Sequence, residues 1–298
     1  MDRRSLWWQP RTLSGLQIPN LATQLPIQPF VTFRLDTTER VPPLFHIVLM
    51  PGTQQILGLR FFDGNIDEAI EFMFCHGGFL VAPSGTCFAR LRRDAAYREA
   101  MTHADLAIPD SGAMVLLWRI LRGQKIRRIS GLKYFQHLSA RFFADKRSGV
   151  FWVVANESAR EKTVRWLRAN QFPSTDVDLY IAPRYGATIE DRELLAKIDH
   201  RRPAHIVIGV GSGPQEKLGH FLRDHLSYRP AIHCLGAALG FLTGDQIKIP
   251  DWADRFYLGW LLRLSAQPHI FIPRLTRALE LPWLINRYRE KLPPLETD

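Results

Sequence analysis

Short apolar runs alternate with amphipathic stretches from residue 45 onward, and this alternation predicts a layered α/β domain. Runs that are apolar throughout are typical of strands covered on both faces, whereas apolar positions at helical spacing predict helices. The predicted strands are residues 45–50, 56–62, 79–82, 106–108, 150–154, 177–181, 205–208 and 231–234. The predicted helices are residues 66–75, 87–103, 113–122, 158–170, 189–200 and 214–227.

Three segments follow from this pattern. Residues 1–44 form an irregular arm broken by prolines, residues 45–250 form the α/β domain, and residues 251–298 form a helical, membrane-proximal C-terminal appendage. Strand–helix–strand repetition favours a mostly parallel, Rossmann-like sheet with helices on both faces. Residues 231–242 are apolar but short and contain His233, so they predict a buried strand and turn and not a membrane span.

Composition and charge narrow the class of protein. Hydrophobic residues make up 46% of the chain and charged residues 23%, which is ordinary for a folded protein. The three cysteines are far apart with no CxxC pair, which favours a reducing compartment over a zinc site or disulfides. The net charge of +10 favours anionic partners: phosphorylated substrates, acidic lipid or nucleic acid.

The positive charge is concentrated between residues 119 and 147. This stretch contains nine Lys or Arg and one acidic residue, Asp145. A solvated helical face is the plainest interpretation of such a stretch. Nucleic-acid binding is disfavoured because no helix-turn-helix, RRM or OB signature accompanies the charge.

Asp110 follows an apolar strand and is the first residue of an Asp-Ser-Gly turn that precedes the next predicted helix. Ligands of parallel α/β sheets gather beyond the carboxyl ends of the strands, where a carboxylate can act as a general base. An N-cap for the helix that begins near Ala113 is the structural alternative. Local sequence alone favours the N-cap interpretation.

A β-branched strand runs into glycines at 209, 211 and 213, and Pro214 then begins a helix. Free N–H groups at such a turn suit a phosphate. The spacing fails as a G-x-G-x-x-G dinucleotide fingerprint, because Gln215 and Glu216 replace the final glycine region. A purely structural turn is the alternative. Residues 236–244 carry three further glycines, which indicate close approach to a ligand or to a neighbouring element.

Aromatic residues and arginines recur together in the C-terminal segment. This combination suits an interfacial helix that buries its apolar face among lipid headgroups, although a helix packed on the domain has the same pattern. Arginines here could also clamp a diphosphate. The residues concerned are Trp252, Phe256, Tyr257, Trp260, Leu261, Leu264, Arg255, Arg263, Arg274 and Arg277.

Taken in order, these motifs resemble the WecG/TagA/CpsF glycosyltransferase family. Residues 104–110 match its "ADL–hydrophobic–PD" strand end, and residues 127–131 match its basic segment ending in glycine. Its GxGxPxQE-like turn, its GAxFDFxxG segment and its closing proline–tryptophan–arginine pattern correspond to residues 209–216, 236–244 and 250–268. Their shared order along the chain is more specific than any one motif.

The resemblance implies inverting transfer of an N-acetylmannosamine-type or uronic sugar from a UDP donor to a polyprenyl-diphosphate-linked acceptor. The expected context is exopolysaccharide or cell-surface polysaccharide synthesis, on the cytoplasmic face of the plasma membrane and at an anionic lipid surface. The resemblance implies no metal and no cofactor. Asp110 becomes the catalytic base, and the substrate-binding residues become Gly209, Gly211, Gln215, Glu216, Arg263 and Ser84.

Departures from the family pattern place the chain in a divergent branch. The usual Thr-x-Asn pair appears as Ala82 and Ser84, which removes two polar groups expected at the sugar. Ser111, Pro214, Gly240 and Gly259 also replace family residues. We expect these replacements to alter the preference for the donor sugar. The alternative to an active enzyme is a catalytically inactive relative that binds a nucleotide sugar or scaffolds a polysaccharide assembly complex.

Overall fold

The computed structural model describes residues 52–85, 87–145, 149–173, 178–244 and 279–296. The predicted arm, the predicted strand at 45–50 and most of the predicted appendage lie outside the described residues. Arg263 and the tail tryptophans at 252 and 260 are among the residues that lie outside.

In the part of the chain that the structure describes, eight strands form a single sheet in the order β1-β2-β4-β3-β8-β7-β5-β6. All neighbouring pairs are parallel except the antiparallel pair β1–β2, so the predicted mostly parallel α/β sheet is confirmed. The strands are β1 Thr53–Ile56, β2 Leu59–Phe62, β3 Gly78–Val81, β4 Leu106–Ala107, β5 Val150–Val154, β6 Leu179–Ile181, β7 His205–Gly209 and β8 Ala231–Cys234.

The described helices connect these strands and extend beyond them. They are α1 Ile66–His76, α2 Cys87–Arg90, α3 Ala95–Thr102, α4 Gly112–Arg122, α5 Gly131–Ala144, α6 Glu157–Ala169, α7 Arg192–Arg201, α8 Pro214–His225, α9 Gly236–Thr243 and α10 Glu280–Tyr288. Within the residues that the structure describes, none of them has the length and apolarity needed to cross a membrane.

Three element predictions were wrong for local reasons. The strand at 56–62 is a hairpin, because Leu57 and Gly58 take positive φ values of 50° and 80° and form a two-residue turn. The helix at 87–103 is divided, because the Asp94 side chain accepts from Tyr97 N–H and caps α3. The turn expected after β8 is the helix α9.

The described end of the predicted appendage packs on the α/β domain. Leu281, Leu284 and Ile285 of α10 are buried in the core. The backbone beyond α10 accepts hydrogen bonds of 2.8 Å from Leu57 and Gly58 at the hairpin turn. Residues 279–296 therefore form part of the domain. The aromatic residues and arginines on which both interpretations of the tail were based lie outside the described residues.

The described residues form a core of two apolar clusters, as expected of a sheet covered on both faces. Strand β5 shows the alternation most clearly: Phe151 and Val153 belong to one cluster, whereas Trp152 and Val154 belong to the other. Every residue of β5 and β8 is buried. Successive side chains of a strand point to opposite faces, so a strand covered on both sides has no polar face.

Asp105 organises the amino-terminal edge of β3 and β4. Its carboxylate accepts from Phe79 N–H at 2.8 Å and forms ion pairs of 3.0 Å with Arg223 and Arg229. A largely buried carboxylate is stable only when it is paired in this way. The Asp of the Ala-Asp-Leu motif therefore has a structural role at the opposite edge of the sheet from Asp110.

Two histidines and a tyrosine form a hydrogen-bonded chain inside the core. His205 Nδ1 lies 3.3 Å from His233 Nε2, and His233 Nδ1 lies 3.3 Å from the Tyr134 hydroxyl. Burial lowers the pKa of His205 to about 4, and burial together with the neighbouring His205 lowers the pKa of His233 well below its ordinary range. Both rings are therefore neutral in the folded protein at neutral pH.

This pair makes stability depend on pH. Below the unfolded-state pKa of about 6.5 the unfolded chain binds protons that the folded chain rejects, so the free energy of unfolding falls as pH falls towards 4. We expect His205 alone to contribute a loss of about 2 kcal/mol between pH 7 and pH 5. Urea denaturation of wild type, His205→Gln and the exposed-site control His200→Gln measures this. Equal pH slopes in all three proteins would contradict it.

Candidate active site

Asp110 is not the N-cap of α4. The cap is Ser111, whose side chain accepts from Met114 N–H at 3.2 Å. The cap interpretation of Asp110 is therefore wrong, since an N-cap oxygen satisfies the first free N–H groups of its helix. Asp110 lies three residues beyond the end of β4, on the edge of the sheet where parallel α/β proteins bind ligands.

The carboxylate of Asp110 is held by the segment that begins α5. Its Oδ1 accepts from Gly131 N–H at 2.8 Å, and its backbone carbonyl accepts from Arg128 Nε at 2.9 Å. The side chain is half-buried. The basic segment ending in glycine therefore has a defined position: it orients Asp110 and places a guanidinium beside it.

The turn at residues 209–213, here called the glycine turn, follows β7. Gly211 and Gly213 have φ values of +97° and +102°, which side-chain-bearing residues rarely adopt. Helix α8 then begins at Pro214. The Glu216 carboxylate accepts from Gly213 N–H, so one N–H at this helix end already has a partner within the chain.

Gln215 and Glu216 are buried side chains with internal partners. They are 5% and 1% exposed, and Gln215 Nε2 donates to Glu216 Oε1 at 2.9 Å. Gln215 Oε1 accepts from Gly236 N–H at 2.9 Å, which fastens the start of α8 to the start of α9. Burial raises the pKa of Glu216. These contacts are made inside the protein and hold the glycine turn in its conformation.

The same contact explains the glycine at 236. A Cβ added there would lie 2.4 Å from Gln215 Oε1 and 2.9 Å from Gly211 N. The close approach indicated by this glycine is therefore to a neighbouring element, so the packing interpretation holds at this position.

A chain of three small polar side chains connects the loops after β3 and β7. Ser84 Oγ lies 3.3 Å from Cys87 Sγ, and Cys87 Sγ lies 3.1 Å from Ser212 Oγ. Ser84 is thus brought to the same edge of the sheet as the glycine turn, through a cysteine that had no predicted role. The three cysteines are all free thiols.

Arg90 is a site residue that sequence reasoning missed. A Cβ added at Gly213 would collide with the Arg90 guanidinium, which therefore lies directly against the glycine turn. Its charge acts on the buried Glu216, and it lies 5.2 Å from the ring centroid of Tyr97. The sequence could not single it out, because Arg92 and Arg93 follow in the same predicted helix.

Asp110 and the glycine turn share one edge but are not adjacent. Strands β3 and β8 lie between β4 and β7. At about 4.8 Å per strand, the loops start about 14 Å apart. A small anion cannot span this distance, but an extended ligand with a phosphate at one end can.

The described residues also form a surface groove. A groove of about 720 Å³ lies between α3, α7 and α8. Two of its lining side chains form ion pairs: His220 with Asp224, which also lines the groove, at 3.3 Å, and Lys217 with Asp94, which does not, at 2.8 Å. None of the predicted site residues lines the groove. In the part of the chain that is described, no group of three metal-ligating side chains comes together.

The fold and this edge define an α/β protein of the class that binds its ligands at the carboxyl ends of parallel strands. Comparison with known proteins gives the family. The model of the glycosyl transferase WecG/TagA/CpsF family matches residues 54–294, and the chain belongs to this family of glycosyltransferases.

Two curated relatives share the name N-acetylglucosaminyldiphosphoundecaprenol N-acetyl-beta-D-mannosaminyltransferase. The protein of Bacillus subtilis (strain 168) is 23% identical over 237 residues, which is 77% of this chain and 88% of the relative. The protein of Bacillus spizizenii (strain ATCC 23059 / NRRL B-14472 / W23) is 25% identical over 206 residues, which is 69% of this chain and 76% of the relative.

The free energy of unfolding of two variants distinguishes the structural role of Ser111 from the role proposed for Asp110. We expect Ser111→Ala to lower the free energy of unfolding by about 1 kcal/mol, because it removes the cap of α4. We expect Asp110→Asn to change it by less than about 0.5 kcal/mol, because asparagine keeps an oxygen for Gly131 N–H. Urea denaturation measures both, and the reverse order would show that Asp110 is the structural residue.

Proposed function

We propose that this chain transfers a sugar from a UDP donor to a polyprenyl-diphosphate-linked acceptor with inversion at the anomeric carbon. The names of the two relatives support the sugar class and the acceptor class, since both describe mannosaminyl transfer to a diphosphoundecaprenol-linked sugar. The observation that supports the proposal is the orientation of Asp110: its carboxylate does not cap α4 and accepts from the N–H of Gly131, the first residue of α5, at the carboxyl edge of the sheet.

Asp110 is the general base in this proposal. It accepts the proton of the acceptor hydroxyl while that oxygen forms its bond to the anomeric carbon. The bond from that carbon to the β-phosphate oxygen of UDP breaks on the opposite face. The carboxylate ends protonated, and the negative charge passes to the departing diphosphate.

The departing diphosphate requires positive potential at the other end of the ligand. The glycine turn contributes backbone N–H groups, and Arg90 contributes a guanidinium that can bind phosphate oxygens with two parallel hydrogen bonds. Arg263 is a further proposed diphosphate ligand and lies outside the described residues. Gln215 and Glu216 act by holding the turn in shape, since both side chains are buried with partners inside the protein.

The sugar end of the site differs from the family pattern. Ala82 has no polar group to offer, and Ser84 contacts Cys87. We propose that this difference alters the choice of donor sugar, within exopolysaccharide or another cell-surface polysaccharide pathway. The acceptor class requires the enzyme to work at the surface of a membrane, and we place it at the cytoplasmic face.

Replacing the base tests the mechanism. We expect Asp110→Asn to lower turnover by about 10²-fold or more, because asparagine cannot accept the proton. We expect UDP to bind with unchanged affinity. Donor-dependent UDP release measures turnover with UDP-N-acetylmannosamine, its uronic acid and UDP-glucuronic acid, each with a prenyl-diphosphate sugar.

Asp224→Asn on α8 is the matched control, because it makes the same chemical change far from Asp110 and should keep wild-type turnover. If Asp110→Asn turns over as fast as this control, Asp110 is not the base. If the wild type binds UDP-sugars without releasing UDP with any donor, the chain is an inactive relative.

Replacing Arg90 tests the diphosphate site. We expect Arg90→Ala to weaken UDP binding by about tenfold, which corresponds to one lost charge-assisted hydrogen bond. The effect on uridine, which lacks the phosphates, should be small. Calorimetric titration measures both ligands.

Arg192→Ala is the matched control, since Arg192 is exposed and lines the groove between α3, α7 and α8. We expect it to bind UDP as the wild type does. Weaker binding by Arg192→Ala with unchanged binding by Arg90→Ala would move the nucleotide to the groove.

A further inference from the structure

Exposed apolar side chains are concentrated on two helices. Among the described residues, five of the seven large hydrophobic side chains that are exposed lie on α4 or at the start of α10. Ile120 is 66% exposed and Leu279 is 70% exposed, so most of their apolar surface is in water. The five are Leu116, Ile120 and Leu121 of α4, Leu279 at the start of α10, and Trp283 within it.

These residues lie on the outer sides of helices whose inner sides are already buried. Leu116 and Ile120 are four residues apart, as are Leu279 and Trp283, so each pair shares one face of its helix. The inner side of α4 buries Met114, Val115 and Trp118, the inner side of α10 is also buried, and the two helices contact each other. The exposed parts of Leu116, Ile120 and Leu279 are therefore in contact with solvent in the described domain, whereas Trp283 also packs against the Tyr288 ring at 5.6 Å and lies 5.0 Å from the Arg92 guanidinium.

The charge around α4 identifies the kind of partner. Residues 119–128 carry five Lys or Arg and no Asp or Glu. Arg119, Lys125 and Arg127 are exposed. Apolar side chains bordered by cations are complementary to an anionic bilayer, whose hydrocarbon boundary takes the former and whose headgroups take the latter.

We propose that α4 and the start of α10, here called the α4–α10 face, dock on an anionic membrane surface. The docking includes the α/β domain itself and not the C-terminal appendage alone. It rests on the proposed function in one respect: α4 begins two residues after Asp110, so docking holds the base at the surface where the diphosphate of a lipid-linked acceptor lies.

Vesicle binding tests the docking. The full chain is sedimented with phosphatidylcholine vesicles and with vesicles containing 30% phosphatidylglycerol, a composition chosen to be anionic. We expect the wild type to prefer the anionic vesicles. The variant Leu116→Gln/Ile120→Gln should bind them about tenfold more weakly, because it removes two inserting side chains while adding no charge.

Ile181→Gln is the matched control. Ile181 is 39% exposed on the edge strand β6, away from α4 and α10, and its replacement should leave vesicle binding unchanged. Equal binding by the double variant and this control would overturn the proposal. So would a wild-type dimer that the double variant converts to a monomer, measured by light scattering, because the face would then bind a second copy.

Turnover separates this proposal from the proposed function. The double variant should keep wild-type UDP release with a water-soluble, short-chain acceptor and lose it with a long-chain acceptor in vesicles. Loss with both acceptors would contradict a docking role. If the wild type turns over neither acceptor, the proposed function fails, and the vesicle-binding comparison still decides whether the face docks on lipid.

Discussion

The hydrogen bond from Gly131 N–H to the Asp110 carboxylate connects the end of β4 to the start of α5, and the account of the site depends on it. An Asp between a strand and a helix ordinarily caps the helix, and a capping carboxylate is already engaged by that helix. Here Ser111 provides the cap. The carboxylate accepts instead from the N–H of Gly131 at the start of α5, and the proposed general-base role uses it in that position.

The opposite end of the site is held by buried contacts that substitute for a conventional nucleotide fingerprint. In that fingerprint, glycines alone allow the backbone to approach the phosphates. In this chain, Gln215 and Glu216 lock the glycine turn to α9, and Cys87 connects it to the loop after β3. Arg90 then supplies charge where Glu216 already occupies an N–H of the helix end. The turn is rigid because its supporting groups are buried.

Much of the fold was predictable from the sequence, because strands covered on both faces are apolar throughout and the apolar positions of a helix recur every three to four residues. Strand β5 was predicted with its observed bounds. Local backbone chemistry accounts for the errors: Leu57 is apolar yet lies in a turn, and the capping Asp94 interrupts an otherwise helical pattern. Helix α5 was not predicted, although its buried residues Phe135, Leu138 and Phe142 recur at helical spacing.

The candidate site was predictable only in part. The position of Asp110 at a strand end followed from pattern, but its partner Gly131 is 21 residues away and is brought near by the fold. Arg90 had no local signal among the arginines that follow it. Gln215 and Glu216 were predicted to line the donor pocket, a role that depends on where their side chains point. The folded chain adds that both side chains are buried and have partners inside the protein, and the role in the donor pocket stays a prediction.

A crystal structure with UDP tests the central claim most directly, because it places the diphosphate relative to both ends of the proposed site. The account predicts phosphate oxygens within hydrogen-bond distance of the glycine turn and the Arg90 guanidinium, with the β-phosphate directed towards the loop that carries Asp110. A diphosphate bound in the groove between α3, α7 and α8, or directed away from Asp110, would contradict it.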